Sequence, residues 1–189
     1  MNLHLNKKAL TLIELLIAIS LLSVIVLGFS SIDSFARYQV MSSDRRAKLQ
    51  NELSFALEHM SKNIMRGIGD VSSPPLESIT NGFRVNVDRN NPPTPGNLGD
   101  DTWIRYTLSG NTLRCSLDNE ILSTHIVSGV VTGIMPSNPA NGFYINLTDN
   151  SIVIEIGLVA RWQPAVASSI DNPQITMRSQ IQTRSSSAR

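Results

Sequence analysis

The sequence predicts an α+β protein. A long N-terminal helix, transmembrane in its first half, packs through its second half against a C-terminal antiparallel β-sheet head. Three observations carry that expectation. From Leu10 to Ile32 the chain is apolar apart from small polar residues, and Glu14 is its only ionisable side chain; about 20 such residues is the length of a membrane-spanning helix. Leu49, Leu53, Leu57, Met60, Ile64 and Ile68 then recur at spacings of four, four, three, four and four, the period of one helical face. Beyond Asp70 the pattern changes to short alternating runs punctuated by Pro, Gly and Asn, the signature of strands and turns. The expected organisation is a leader over 1–9, a transmembrane segment over 10–32, an amphipathic continuation of the same helix over 33–69, and a β-rich head over 70–189.

The leader carries Lys7 and Lys8 and no acid. The positive-inside rule therefore puts it in the cytoplasm and the bulk of the chain across the membrane. An acid inside a membrane helix costs about 2.5–3.5 kcal/mol on insertion scales, which makes it a functional-site candidate. Glu14 stands one turn into the run, near the positive end of the helix dipole, where a carboxylate is least costly. Ser20 and Ser23 are tolerable in the span because a hydroxyl can bond back to a backbone carbonyl. Gly28 is its one soft point, costing about 1 kcal/mol relative to Ala.

Ala9-Leu10-Thr11-Leu12-Ile13-Glu14 resembles the processing site of type IV prepilins and type II secretion pseudopilins. In that family a prepilin peptidase cuts after a small residue, usually Gly, and methylates the new N-terminus, and a Glu stands fifth in the mature chain. Carried over, the resemblance implies cleavage between Ala9 and Leu10, N-methylation of Leu10, and an assembly role for Glu14, the fifth residue from Leu10. Ala9 departs from the usual Gly. The resemblance implies a pilin-like fold and a bacterial inner-membrane, single-pass location with a periplasmic or extracytoplasmic head, before entry into a pilus or pseudopilus. The partners it implies are the peptidase, other pilins or pseudopilins in a filament, an inner-membrane assembly platform and membrane lipid. It also implies that Glu14 meets the N-terminal ammonium of a neighbouring subunit; a contact with its own N-terminus is the alternative. Many pilins carry a Pro within this helix, and none stands between Leu10 and Ile32, so no melted segment is expected.

Past Ile32, Arg45, Arg46, Lys48, Glu52, Glu58 and Lys62 fill the faces beside the apolar stripe. No Pro interrupts the chain before Pro74, and Gly67-Ile68-Gly69 is the first stop signal. A helix from Leu10 to about Arg66 would be on the order of 85 Å long at 1.5 Å per residue. A coiled coil would need more heptads than the stripe supplies.

In the head, Phe83–Val87 alternates as a half-buried strand. Asn90–Gly96 is a proline-rich loop. Trp103–Leu108 and Thr112–Leu117 flank Ser109-Gly110-Asn111, a hairpin with a three-residue connection. Phe143–Leu147 and Ser151–Ala160 flank Asp149-Asn150, a second expected hairpin, and Ile175–Thr183 is the last strand, with a frayed tail over Ser185–Arg189. The run Trp103–Leu108 with Asn111–Arg114 is similar to the hairpin of J-type pseudopilins and W-type minor pilins.

No Gly-rich phosphate loop, H-E-x-x-H or G-x-S-x-G occurs, so no enzyme is expected and no cofactor is called for. His4, His59 and His125 are far apart in sequence, which disfavours a histidine metal centre. Cys115 is the only cysteine, so no internal disulfide can form, and a packed strand position is expected for it. Asp88, Asp100, Asp101 and Asp118 lie on or beside loops, where a solvated acidic surface is expected over a calcium site. From Asp70 onward there are 8 basic and 10 acidic residues, a balance of 8 − 10 = −2; nucleic acid is therefore not an expected partner. The reading is a structural and assembly subunit, a minor pilin or pseudopilin. A major or adhesive pilin, a membrane-anchored binding protein or enzyme, and an ordinary signal anchor with a stray acid are the alternatives.

Overall fold

The computed structural model describes residues 11–69, 75–90, 92–94, 97–134, 143–147 and 153–182. One helix, α1 (Leu12–Met65), precedes nine strands: β1 (Leu76–Ile79), β2 (Gly82–Val87), β3 (Thr102–Ser109), β4 (Thr112–Cys115), β5 (Ile121–Ser123), β6 (Ile126–Ile134), β7 (Phe143–Leu147), β8 (Val153–Arg161) and β9 (Gln174–Gln182). The chain divides into two compact units between Met41 and Ser42, and α1 contributes to both.

In the second unit, α1 buries Ser42, Leu49, Leu53, Ala56, Leu57, Met60, Asn63 and Ile64. The apolar stripe is thus the packed face, each Leu, Ile or Met on it contributing about 1.5–3 kcal/mol on burial. It ends one residue earlier than its periodicity implies. Arg66 and Gly67 N–H groups bond the carbonyls of Asn63 and Ile64 at 3.1 and 3.0 Å, the tightened i to i−3 pattern of a helix end. Gly67 then bridges Val87, and Ile68 N–H donates to Asn86 O at 2.9 Å. Ile68 therefore leaves the helix and borders β2.

Strands β1 to β5 form one antiparallel sheet in sequence order. Phe83, Val85 and Val87 on β2, Ile104, Tyr106 and Leu108 on β3, and Leu113 and Cys115 on β4 are all buried at the core. The β3–β4 hairpin has two connecting residues, not three: Ser109 pairs with Thr112, and Gly110 adopts φ 58°, a left-handed conformation that glycine reaches at no steric cost. Gly82 is fixed by close approach, since a Cβ there would lie 1.9 Å from Tyr106 O. β2 is more than half-buried, because Asn86 is 1 % exposed although it shares the outward face with Arg84.

The second sheet has order β7-β6-β8-β9. The expected β7–β8 hairpin does not form: β6, which sequence alternation had not singled out, lies between the two, parallel to β7 and antiparallel to β8. The supposed turn at Asp149-Asn150, the Ser185–Arg189 tail and part of the Asn90–Gly96 loop lie outside the described residues. β9 runs along α1, with Ser61 Oγ 3.4 Å from Ser179 Oγ and Ser54 Oγ donating to Met177 Sδ at 3.9 Å.

The β8–β9 connection is organised by Asn172, which is 4 % exposed. Its Nδ2 donates to the carbonyls of Gln163, Val166 and Ala167 at 3.0–3.1 Å, and its Oδ1 accepts from Gln163 N–H at 2.6 Å. That loop is hooked to α1 where Ser42 Oγ donates to Ile170 O at 2.7 Å and Arg45 Nη1 donates to Asp171 O.

Candidate processing and assembly site

Ala9 and Leu10, the residues flanking the expected cut, lie outside the described residues. The next residue, Thr11, caps α1. Its carbonyl accepts the first helical bond, from Leu15 N–H at 3.2 Å. Its hydroxyl accepts from Glu14 N–H at 3.3 Å, and its own N–H and hydroxyl both donate to Glu14 Oε2 at 2.8 Å. This reciprocal exchange is a capping box, in which a Thr and a Glu three residues on satisfy otherwise orphaned donors at a helix start. The T-x-x-E spacing was present in the sequence, but the acid had drawn attention as a charge in an apolar run rather than as a cap.

Both of Glu14's bonds fall on Oε2, and a carboxylate has lone pairs on two oxygens. Among the described residues Oε1 accepts no hydrogen bond, so a second acceptor stands beside the closed cap. Among the described residues its side chain bonds Thr11, and Leu10, which the alternative of a contact with its own N-terminus invokes, lies outside them.

From Leu12 to Met41 every described residue of the helix is exposed. The only charge between Leu12 and Ile32 is Glu14, and one stretch is long and apolar enough to cross a membrane. Its hydroxyls are satisfied from within: Ser20, Ser23, Ser30, Ser31 and Ser34 donate to the carbonyl four residues back at 2.8–3.0 Å. The helix runs unbroken through Gly28, where a Cβ would meet nothing within 4 Å. The first exposed ion pair past the apolar run is Arg37 with Asp33, at 2.9 Å.

His59 Nδ1 lies 3.0 Å from Tyr106 OH, which also accepts from Asn63 Nδ2 at 2.7 Å. Burial pushes the Tyr106 phenol above its ordinary value. Burial also raises the Cys115 thiol, so a buried, protonated cysteine packs in β4 and is not poised as a nucleophile. Ser123, His125 and Glu52 are the residue types of a hydrolytic triad, but Ser123 Oγ and His125 Nδ1 both bond Glu52 Oε2 at 2.9 Å. A working triad needs the imidazole, not the carboxylate, to hold the serine proton; here the three residues tie α1 to the sheet. Asp88, Asp100 and Asp101 do converge, around Thr94 and Asn86. Among the described residues no group of three or more His, Cys, Asp or Glu is set to hold a metal ion.

Residues 4–30 match the family model for the prokaryotic N-terminal methylation motif. The chain carries the type IV pilin and pseudopilin signature. The architecture is pilin-like as well: one long N-terminal helix, apolar at its start, packed against β-sheets. The motif is the substrate signature of prepilin peptidase and of subunits that assemble with other pilins. That pilin-motif family is structural rather than enzymatic. Neither the curated proteins nor the solved structures yield a match to the chain.

Proposed function

We propose that the chain is a minor pilin or pseudopilin, a structural subunit assembled through its N-terminal helix into a type IV pilus or type II secretion filament. The methylation motif at 4–30, set on a helix whose apolar residues from Leu12 to Met41 are all exposed, carries this reading. Such a helix is stable only in lipid or in a bundle of similar helices, because water would contact eighteen of the large apolar side chains between Leu12 and Met41. A filament core supplies the second environment and explains how the subunit leaves the first.

In this reading the peptidase cuts between Ala9 and Leu10 on the cytoplasmic face and methylates Leu10. The basic leader favours that orientation, with the head on the far side and the assembly platform and membrane lipid as partners. The new α-amino group has a reference pKa near 8 and is mostly cationic at neutral pH. Glu14 Oε1 of a neighbour would receive it in a low-dielectric setting that strengthens their attraction. The likeness of the Trp103–Leu108 and Asn111–Arg114 hairpin to that of J-type pseudopilins and W-type minor pilins, with Ala9 at the cut and no Pro between Leu10 and Ile32, favours such a subunit over the major one.

Intact mass and N-terminal sequencing, on protein made with and without a prepilin peptidase, test the proposal. The expected product begins at a methylated Leu10 only when the peptidase is present. A product that begins at Met1 in its presence, or beyond Glu14, would overturn it.

A further inference from the structure

The outward face of the five-stranded sheet carries a row of arginines. Arg84 on β2 is directly opposite Arg105 on β3. Arg114 on β4 is opposite Thr107, two residues along from Arg105 and so on the same face. Each is flanked along its strand by buried residues: Phe83 and Val85, Ile104 and Tyr106, Leu113 and Cys115. Like charges directly opposite one another destabilise a sheet, so the row needs compensation. Arg84 has it: Nε donates to Glu77 Oε2 at 2.8 Å, and its guanidinium lies 4.3 Å from the centre of the Trp103 ring. Arg105 and Arg114 have no carboxylate within ion-pair distance among the described residues. Trp103, half-buried on the same face, and Ile121, 49 % exposed and paired with Arg114, add apolar area beside these cations.

We propose that this face docks a carboxylate-bearing surface of another protein, with Arg105 and Arg114 as the cations that receive it. Charge complementarity defines the occupant. Two guanidinium forks suit planar carboxylates, and Arg and Trp together, beside an aliphatic side chain, form the composition that dominates binding energy at protein interfaces. Nucleic acid fits less well. Arg84 already covers a face of Trp103 on which a base would stack. The surface is independent of leader cleavage, so this proposal and the filament reading stand or fall separately.

The test uses the full chain in nonionic detergent, with fluorescent poly-L-glutamate as the carboxylate probe and an oligothymidylate as the phosphate probe, at low salt. Arg105→Glu with Arg114→Glu is compared with Arg46→Glu with Arg66→Glu, an equal charge change at exposed positions on the helix and just past its end. Arg105→Gln with Arg114→Gln guards against a folding defect, and thermal melts check each variant. The expected result is poly-L-glutamate binding weakened about tenfold or more by both sheet variants and little changed by the helix variant. Equal loss in the sheet and helix variants would overturn the proposal, as would absence of binding to the unmodified chain. Tighter, arginine-dependent binding of the oligothymidylate would overturn it in favour of a nucleic-acid surface.

Discussion

Glu14 has two jobs that single substitutions can separate. As the last residue of the capping box it closes the start of α1 on Thr11, and as a carboxylate it is proposed to meet a neighbour's ammonium. Glu14→Gln keeps an amide oxygen for the Thr11 donors, since Gln serves in capping boxes, but removes the charge. Thr11→Val keeps the charge and removes the hydroxyl, costing about 1 kcal/mol at the helix start. Both variants should insert in the membrane normally. Glu14→Gln should fall out of sheared filaments while Thr11→Val remains in them; the reverse distribution on immunoblots would make Glu14 a cap and nothing more. Asp101 offers a second residue-scale test. Burial, then the neighbouring charges of Asp88 and Asp100, raise its carboxyl above the ordinary 3.8. A raised folded-state value means that the folded protein binds the proton more readily than the unfolded chain, so stability falls as pH rises through that window. Asp101→Asn should therefore raise the melting temperature at neutral pH, and the advantage should vanish below about pH 4. An advantage that persists at low pH would assign the effect to hydrogen bonding instead.

At the scale of elements, legibility followed locality. The stripe from Leu49 to Ile64 was readable because a 3.6-residue period is imposed by the helix itself, and burial there follows it. The β3–β4 hairpin was readable because its strands adjoin in sequence, although its connection proved one residue shorter. β6 was not, because Ile126–Ile134 mixes glycines with adjacent valines, and its central place depends on partners that alternation does not encode. The polar residues that join helix to sheet were also missed. Asn63 sits on the apolar stripe and Glu52 beside it, yet one holds Tyr106 OH and the other holds Ser123 and His125. Of the candidate site, the acid was legible from composition and its cap was overlooked. The packing itself is testable through Leu53, which is fully buried. Leu53→Ala should cost about 2–5 kcal/mol, the range for a core leucine that leaves a cavity, read as a lower midpoint of chemical denaturation. Phe55→Ala, at a 48 % exposed position, should cost far less; equal losses would show that the stripe is not the packed face.

Across the whole molecule, burial is sharply divided. Every hydrophobic core residue lies at or beyond Leu49, whereas Leu12 to Met41 contributes eighteen of the twenty-three exposed large apolar side chains among the described residues. The two compact units meet at Met41 and Ser42, so the apolar span makes no contribution to the core. The second unit has its own closure: α1 from Ser42 onward, both sheets, and the Asn172 loop hooked to Ser42 and Arg45. A fragment beginning at Ser42 should therefore fold without detergent, elute as a soluble species and melt in one cooperative transition. The full chain should need detergent, because it exposes a hydrophobic run of membrane length. If the fragment were to aggregate or show no cooperative melt, the first unit would be supplying stability that its exposed side chains give no sign of. A soluble, folded fragment would locate the requirement for lipid or neighbouring helices in residues before Ser42, where the methylation motif also lies.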